Sequence, residues 1–254
     1  MRPPLGTRPG PVAATGAVVT GQLSRARAAR GPLLFVATLQ SIGILLLLRG
    51  VVDQSSDATA RQVVAGATVL VVAFVALNLL AQRFGLLRST GGLDYYAALP
   101  VSPAAVVLGT AASYAVFTLP GAALTAVVGC LLYGLPLGHL WLLLLVLPLA
   151  GAALAGAGAT LGLLPRRPEL ATTAGQLGMS AVLFLGIIPA QRMPGWLAAL
   201  RGLVPSTWAS DALAGGLAAH PAWGRVTAEL AGCAVTAVVA LGLATWAFGR
   251  AVRR

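Results

Sequence analysis

The sequence predicts an all-α membrane protein with six transmembrane helices, and three observations carry that prediction. Of the 254 residues, 58% are hydrophobic and 9% are charged, against roughly 25% charged in a soluble domain. Mean hydropathy is +0.88. Six stretches supply the roughly 20 mostly apolar residues that a helix needs to cross a bilayer. Seventeen bases and six acids cannot clothe a water-soluble fold of this size. An ordinary cytosolic enzyme, a secreted disulfide scaffold and a disordered chain are thereby excluded.

The elements follow in order. Residues 1–11 are rich in Pro and Gly and read as disordered. Residues 12–30 place Val12, Val18, Val19, Leu23 and Ala26 on one helical face, with Arg25, Arg27 and Arg30 at its end. That pattern predicts a helix lying in the membrane interface and turning inward at Gly31-Pro32. The spans are expected at about 32–52, 62–82, 105–132, 139–164, 170–189 and 227–249. No signal peptide is expected, because the first long apolar run is already of spanning length. Between spans two and three, residues 83–104 form the longest inner connection, with a short helix over 93–99 stopped by Pro100. Ser102 caps the next helix, with Pro103 in its first turn. Between spans five and six, residues 190–226 carry Trp196, Trp208 and Trp223 and predict short helices at the opposite interface. The whole chain, 1–254, reads as one transmembrane domain.

Charge orients the bundle. All seventeen bases are Arg, and twelve of them fall on one side if both termini lie inside. The positive-inside rule then predicts N-in and C-in. Topology, not nucleic acid, accounts for the net charge of +11. The absence of Lys removes a phosphate-binding P-loop and Schiff-base chemistry from this chain. Cys130 and Cys233 lie in apolar runs without metal-ligand spacing, and His139 and His220 have no ligand companions, so no metal site is expected.

Polar residues inside the spans are few. Arg49 sits near the end of span one, where it can snorkel and pair with Asp53. Gln40 and Asn78 suit interhelical hydrogen bonds. Gly151, Ala155, Gly158 and Gly162 give span four a small-residue face for close packing. Pro120 and Pro148 are expected to kink their spans. Intramembrane catalysis would need Ser–His, paired acids or metal ligands at depth, and none is present. An ion-coupled transporter would usually carry intramembrane carboxylates.

The inner connection holds the pattern richest in chemistry. Its short helix shows Tyr95, Tyr96 and Leu99 beside Asp94. On periodicity alone this aromatic face serves equally as a docking knob for a partner protein or as an anchor at the lipid headgroups.

Residues 87–110 resemble the corresponding loop of type-2 ABC transporter permeases. The matching pieces are Gly92-Leu93-Asp94, then Leu99-Pro100-Val101-Ser102-Pro103, then Gly109-Thr110. Ser89-Thr90 replace acidic residues common in that family, and Thr110 stands where a Lys is common. Further on, Pro189 with Met193-Pro194-Gly195-Trp196 resembles the family's outer segment. Leu203-Val204-Pro205-Ser206-Thr207-Trp208 with Asp211-Ala212-Leu213 resembles its Pro-x-x-aromatic-x-x-Asp-Ala motif. The resemblance implies a bacterial cytoplasmic-membrane permease of an ATP-driven exporter. It implies a coupling segment of Arg88, Asp94, Tyr95, Tyr96, Leu99 and Pro100 seated on an ATP-binding cassette subunit. Pro205, Trp208 and Asp211 form the implied outer-gate motif. The implied assembly has two ATP-binding subunits and a second permease copy in the lipid bilayer, with ATP and Mg bound on the partner and no cofactor or catalytic residue on this chain. An apolar interior without a ring of charge favours an amphipathic or lipid-like cargo. The competing reading is a stand-alone polytopic membrane protein, of an immunity, resistance or ion-coupled type, with no ATPase partner.

Overall fold

A computed structural model describes residue 16 and residues 27–51, 57–98, 102–165, 167–188, 194–202 and 204–252. The expected disordered start and most of the interfacial helix lie outside the described residues, as do Asp53, Leu99, Pro100, Pro189, Met193 and Leu203. Among the described residues the chain is helical, with no strand. The helices are α1 (Arg27–Val51), α2 (Asp57–Ser89), α3 (Gly92–Ala98), α4 (Pro103–Tyr133), α5 (Leu140–Leu163), α6 (Pro168–Ile187), α7 (Gly195–Arg201), α8 (Pro205–Gly216) and α9 (Trp223–Val252). By length and composition α2, α4, α5, α6 and α9 can each cross a membrane, and Phe35–Gly50 of α1 is a shorter apolar helix.

Two boundaries differ from expectation in an instructive way. Helix α1 already runs from Arg27, passing through Gly31-Pro32 without a break. The last Arg residues of the expected interfacial helix therefore belong to the same rod as the apolar segment. Helix α2 extends beyond the expected 62–82 at both ends. Asp57 occupies its first turn and Arg88 its last, each charge opposing the helix dipole. The chain over 83–89 is thus helix, not loop. Nothing in Arg83–Ser89 breaks a helix until Thr90-Gly91, where Gly91 takes φ +73°. At 1.5 Å per residue α2 is roughly 50 Å long, well beyond the roughly 30 Å hydrocarbon core.

Helix α2 is the axis of the bundle. It is apolar around its whole circumference, the pattern of a helix enclosed by others. Residues such as Val64, Val71, Ala73, Val75, Leu80 and Ala81 are fully buried. Helices α1, α4, α5, α6 and α8 surround it. In its middle, Ala73–Leu79 widens into π-helix, a local insertion that the sequence pattern does not show. Asn78 lies in this segment, buried, and accepts a 3.1 Å hydrogen bond from Gln82 Nε2. The interhelical role expected for Asn78 is thus, in this structure, a bond within its own helix.

Small residues set how closely the neighbours approach. A Cβ at Gly158 would sit 2.4 Å from the Leu77 carbonyl oxygen, and one at Gly162 would sit 2.4 Å from that of Ala81. Both residues belong to the predicted small face of α5, which therefore runs parallel to α2 at backbone contact. Gly156, two residues before Gly158, turns to α9, 2.6 Å from the Ala240 backbone by the same construction. Neither Pro120 in α4 nor Pro148 in α5 ends its helix. Ser102 caps α4 as expected, accepting from the Ala105 amide at 3.2 Å. At the far end of α4 the Tyr133 hydroxyl donates to the Leu45 carbonyl of α1 at 3.0 Å. Cys130 and Cys233 are both buried and free.

Candidate functional site

Side chains with chemistry gather at the two ends of the bundle. At one end, Thr90 and Gly91 alone separate α2 from α3. The turn is held by the Thr90 amide donating to the Leu86 carbonyl at 3.0 Å and the Asp94 amide to the Gly91 carbonyl at 3.1 Å. Helix α3 then lies against the ends of α2 and α9. Leu93 is buried and Tyr96 packs on the apolar core, while Asp94 is exposed and Tyr95 is 57% exposed. The two tyrosine rings stand edge-to-face at 5.5 Å. The helix is thus clamped by one face and offers Asp94 and Tyr95 on the other.

Arg88 has an occupation of its own. Its Nη1 donates to the Leu164 carbonyl at 2.8 Å and also to that of Leu163. These are orphan acceptors at the C-terminus of α5, which a guanidinium satisfies while opposing the negative end of the dipole. Arg88 therefore ties the rim of α2 to the end of α5, and it stands one turn before α3.

The opposite end is built around a buried ion pair. Arg201, the last residue of α7, is 7% exposed. Its Nη1 donates to Asp211 Oδ2 at 2.5 Å, its Nη2 to Asp211 Oδ1, and its Nε to the Leu185 carbonyl of α6 at 2.9 Å. Gln62 of α2 adds its amide, donating to the Gly186 carbonyl at 2.7 Å and to Asp211 Oδ1 at 3.2 Å. This network binds α7 and α8 to α6 and to the start of α2, and a charged fork facing a carboxylate with its other donors satisfied is the geometry that makes a desolvated pair tolerable.

Pro205 occupies the first turn of α8. Trp208 donates its indole N–H to the Gly202 carbonyl at 3.0 Å and lies over Gly232 of α9, where a Cβ would come 2.5 Å from the ring. Asp211, Pro205 and Trp208 therefore all serve one corner. Asp211 belongs to the motif that the family resemblance implies, whereas Arg201 carries no such mark in the sequence. The signal available was the spacing of Arg201 and Asp211 across a Pro-initiated helix, together with Gln62 at the start of an otherwise apolar span. Near this corner His139 meets Trp223 edge-to-face at 5.5 Å, and Trp141 stacks on Trp223 at 5.9 Å. No group of three or more His, Cys, Asp or Glu that would hold a metal occurs among the described residues.

Between the two ends, α6 presents a face that does not suit hydrocarbon. Glu169, Thr173, Gln176 and Ser180 recur at helical spacing and are all exposed. The hydroxyls of Thr173 and Ser180 donate back to the Glu169 and Gln176 carbonyls at 2.9 and 3.1 Å. The Gln176 side-chain amide, near the middle of the helix, has no hydrogen-bond partner among the described residues.

The sequence profile of the ABC-2 type transporter family matches residues 16–217, from ahead of α1 to the end of α8. No curated protein matches the chain.

Proposed function

The chain belongs to the ABC-2 type transporter family, and on that premise we propose that it is the permease of an ABC exporter. It acts as a homodimer with two copies of a separate ATP-binding subunit and moves an amphipathic or lipid-like cargo outward. In this reading α1 is the sixth span, both termini are cytoplasmic, and the protein resides in a bacterial cytoplasmic membrane. The ATP and Mg belong to the partner.

The observation that carries the proposal is the seating of α3. A two-turn helix with Leu93 buried and Tyr96 packed on the core is held against the bundle, so a load on its exposed Asp94–Tyr95 face passes to what it rests on. Only Thr90 and Gly91 intervene before α2, which packs against every other span, α9 included through Phe84 on Phe248. The shorter linkage is to span two, because Ala98 and Pro103 are separated by residues 99–102. Movement of a rigid element against a packed core is the ordinary way such a displacement is delivered.

The cargo route follows from α6. An unpartnered primary amide in mid-membrane costs free energy against lipid tails, so the Gln176 stripe faces water, cargo or a second copy. Leu177 and Phe184, both exposed beside it, make the surface amphipathic and leave it uncharged in its middle. That surface suits a lipid-like molecule better than a strongly charged one.

Purification from native membranes in mild detergent, with partners identified by mass spectrometry, tests the assembly. A stoichiometric subunit bearing a P-loop is expected. Recovery of the chain alone, even after crosslinking, overturns the reading in favour of a stand-alone membrane protein. Gln176→Cys tests the dimer, since both native thiols are buried. It should crosslink to itself in membranes, and failure to do so removes α6 from the dimer face.

A further inference from the structure

Beside the Arg201–Asp211 pair the structure opens a cleft of about 270 Å³. Ala58, Arg61 and Gln62 form one wall from the first turns of α2, while Arg225 and Glu229 form the other from the first turns of α9, with His220 at the rim. The charges do not cancel. Asp211 is neutralised by Arg201 through both carboxylate oxygens. Glu229 has one contact to Arg225, at 3.7 Å, and the Arg225 side chain is 76% exposed. Arg61 is half-buried, yet no carboxylate lies within ion-pair distance of it among the described residues. Three Arg against two carboxylates leave one positive charge in the cleft.

We propose that this cleft binds one phosphate group, with Arg61 as its principal ligand and Arg225 as its second. A guanidinium offers a planar fork of donors that matches phosphate geometry. Here the fork is held beside apolar Ala58 and Val226, where water screens it less than on an open surface. Size narrows the ligand. At about 30 Å³ per water, the cleft holds roughly nine waters, which falls just under the 300–1,000 Å³ typical of sites for drug-sized molecules. It accommodates a phosphate with its adjoining glycerol, not an entire cargo. The phosphate has two possible sources, a phospholipid headgroup at this face of the bilayer or a free phosphate ester. The inference does not rest on the transport reading, because it needs neither an ATPase nor a dimer.

The test uses the full-length protein in maltoside micelles, which contain no phosphate. Glycerol 3-phosphate and, separately, dihexanoyl phosphatidylglycerol are titrated by isothermal calorimetry, with dihexanoylglycerol as the phosphate-free control. Binding of both phosphate probes identifies a free ester as sufficient. Binding of the lipid alone assigns the headgroup. In either case Arg61→Gln should weaken binding at least tenfold with its melting temperature unchanged, and Arg225→Gln should weaken it less. Ala58→Trp, which fills the cleft and leaves every charge in place, should abolish binding and guards against a misfolded Arg61 variant. The proposal is overturned if neither probe binds, if the control binds as tightly, or if Arg61→Gln or Ala58→Trp binds like the natural chain.

Discussion

Replacing Asp211 with Ala should destabilise the protein by about 2–4 kcal/mol, and the structure indicates where that number comes from. The change strips Arg201 of two of its three donor contacts, leaving the Leu185 carbonyl at 2.9 Å. It also removes the 3.2 Å acceptor of the Gln62 amide, which keeps the Gly186 carbonyl. Hydrogen bonds to charged groups contribute about 1.5–3 kcal/mol each, and breaking a fully buried pair costs about 3–5 kcal/mol. The Asp211 side chain is 20% exposed, so water can reach the vacated site and the loss falls toward the lower part of that range. For a chain of this size about 1 kcal/mol corresponds to 2–4 °C, giving a fall of roughly 4–16 °C in melting temperature. The assay is thermal unfolding in micelles, followed by tryptophan emission, on D211A, R201M and the double variant. Each single change leaves a polar or charged group without its partner, whereas the double change removes both together. The double variant should therefore recover most of the loss. A single variant within about 0.5 kcal/mol of the natural chain, or a double variant as damaged as the sum of the singles, would refute the argument that burial of the pair is what matters.

Four further outcomes are expected. Tyr95→Asp should leave insertion and melting temperature unchanged, because the side chain is 57% exposed, but abolish stimulation of the partner ATPase; full stimulation would remove α3 from the coupling role. Gly158→Ala places a methyl 2.4 Å from the Leu77 carbonyl, and should cost about 1–3 kcal/mol as overpacking, read as a lower unfolding midpoint; an unchanged midpoint would mean that α2 and α5 are free to separate. Arg88→Gln should lose about 1–2 kcal/mol by uncovering the last carbonyls of α5, with hydrogen exchange rising at Leu163 and Leu164 and not at the other end of the helix. Gln176→Leu on the exposed face of α6 should keep or raise thermal stability while reducing cargo flux in vesicles, and undiminished flux would take α6 off the route.

Much of the fold was legible because lipid leaves the chain few options. A backbone that cannot hydrogen-bond to its solvent must pair within itself, as a helix or a closed barrel, and apolar runs of about 20 residues select the helix, so apolar length located α2, α4, α5, α6 and α9. Capping chemistry located the turn at Ser102-Pro103, and Gly158 with Gly162 marked the closest helix contact. What stayed hidden depends on partners far apart in sequence. The π segment Ala73–Leu79 has no compositional mark, since its residues are as apolar as their neighbours. The extension of α2 to Ser89 was obscured by Arg83 and Arg88, charges that read as loop; for Arg88 the acceptors at the end of α5 explain the helix. The pairing of Arg201 with Asp211 stayed hidden because only folding of α7 and α8 against α6 brings Leu185 and Gln62 to them. Tyr95 was recognisable as part of a docking or anchoring face, but nothing in its spacing distinguished it from Tyr96, which the structure turns inward.

Enclosure of α2 on every side also bears on how such a chain can diverge. A side chain added at Gly129, Gly158 or Gly162 would run into Val64 or into the backbone of Leu77 or Ala81, so these contacts hold only while the glycines stay glycine or the helices shift. The outward faces of α6 and α9 carry no such condition, for residues such as Leu177, Val238 and Leu243 are mostly exposed within the chain. New selectivity can accumulate on those faces by single steps while the interior stays frozen. Descendants of one ancestor would then share an almost invariant axle and differ in what they handle at its periphery.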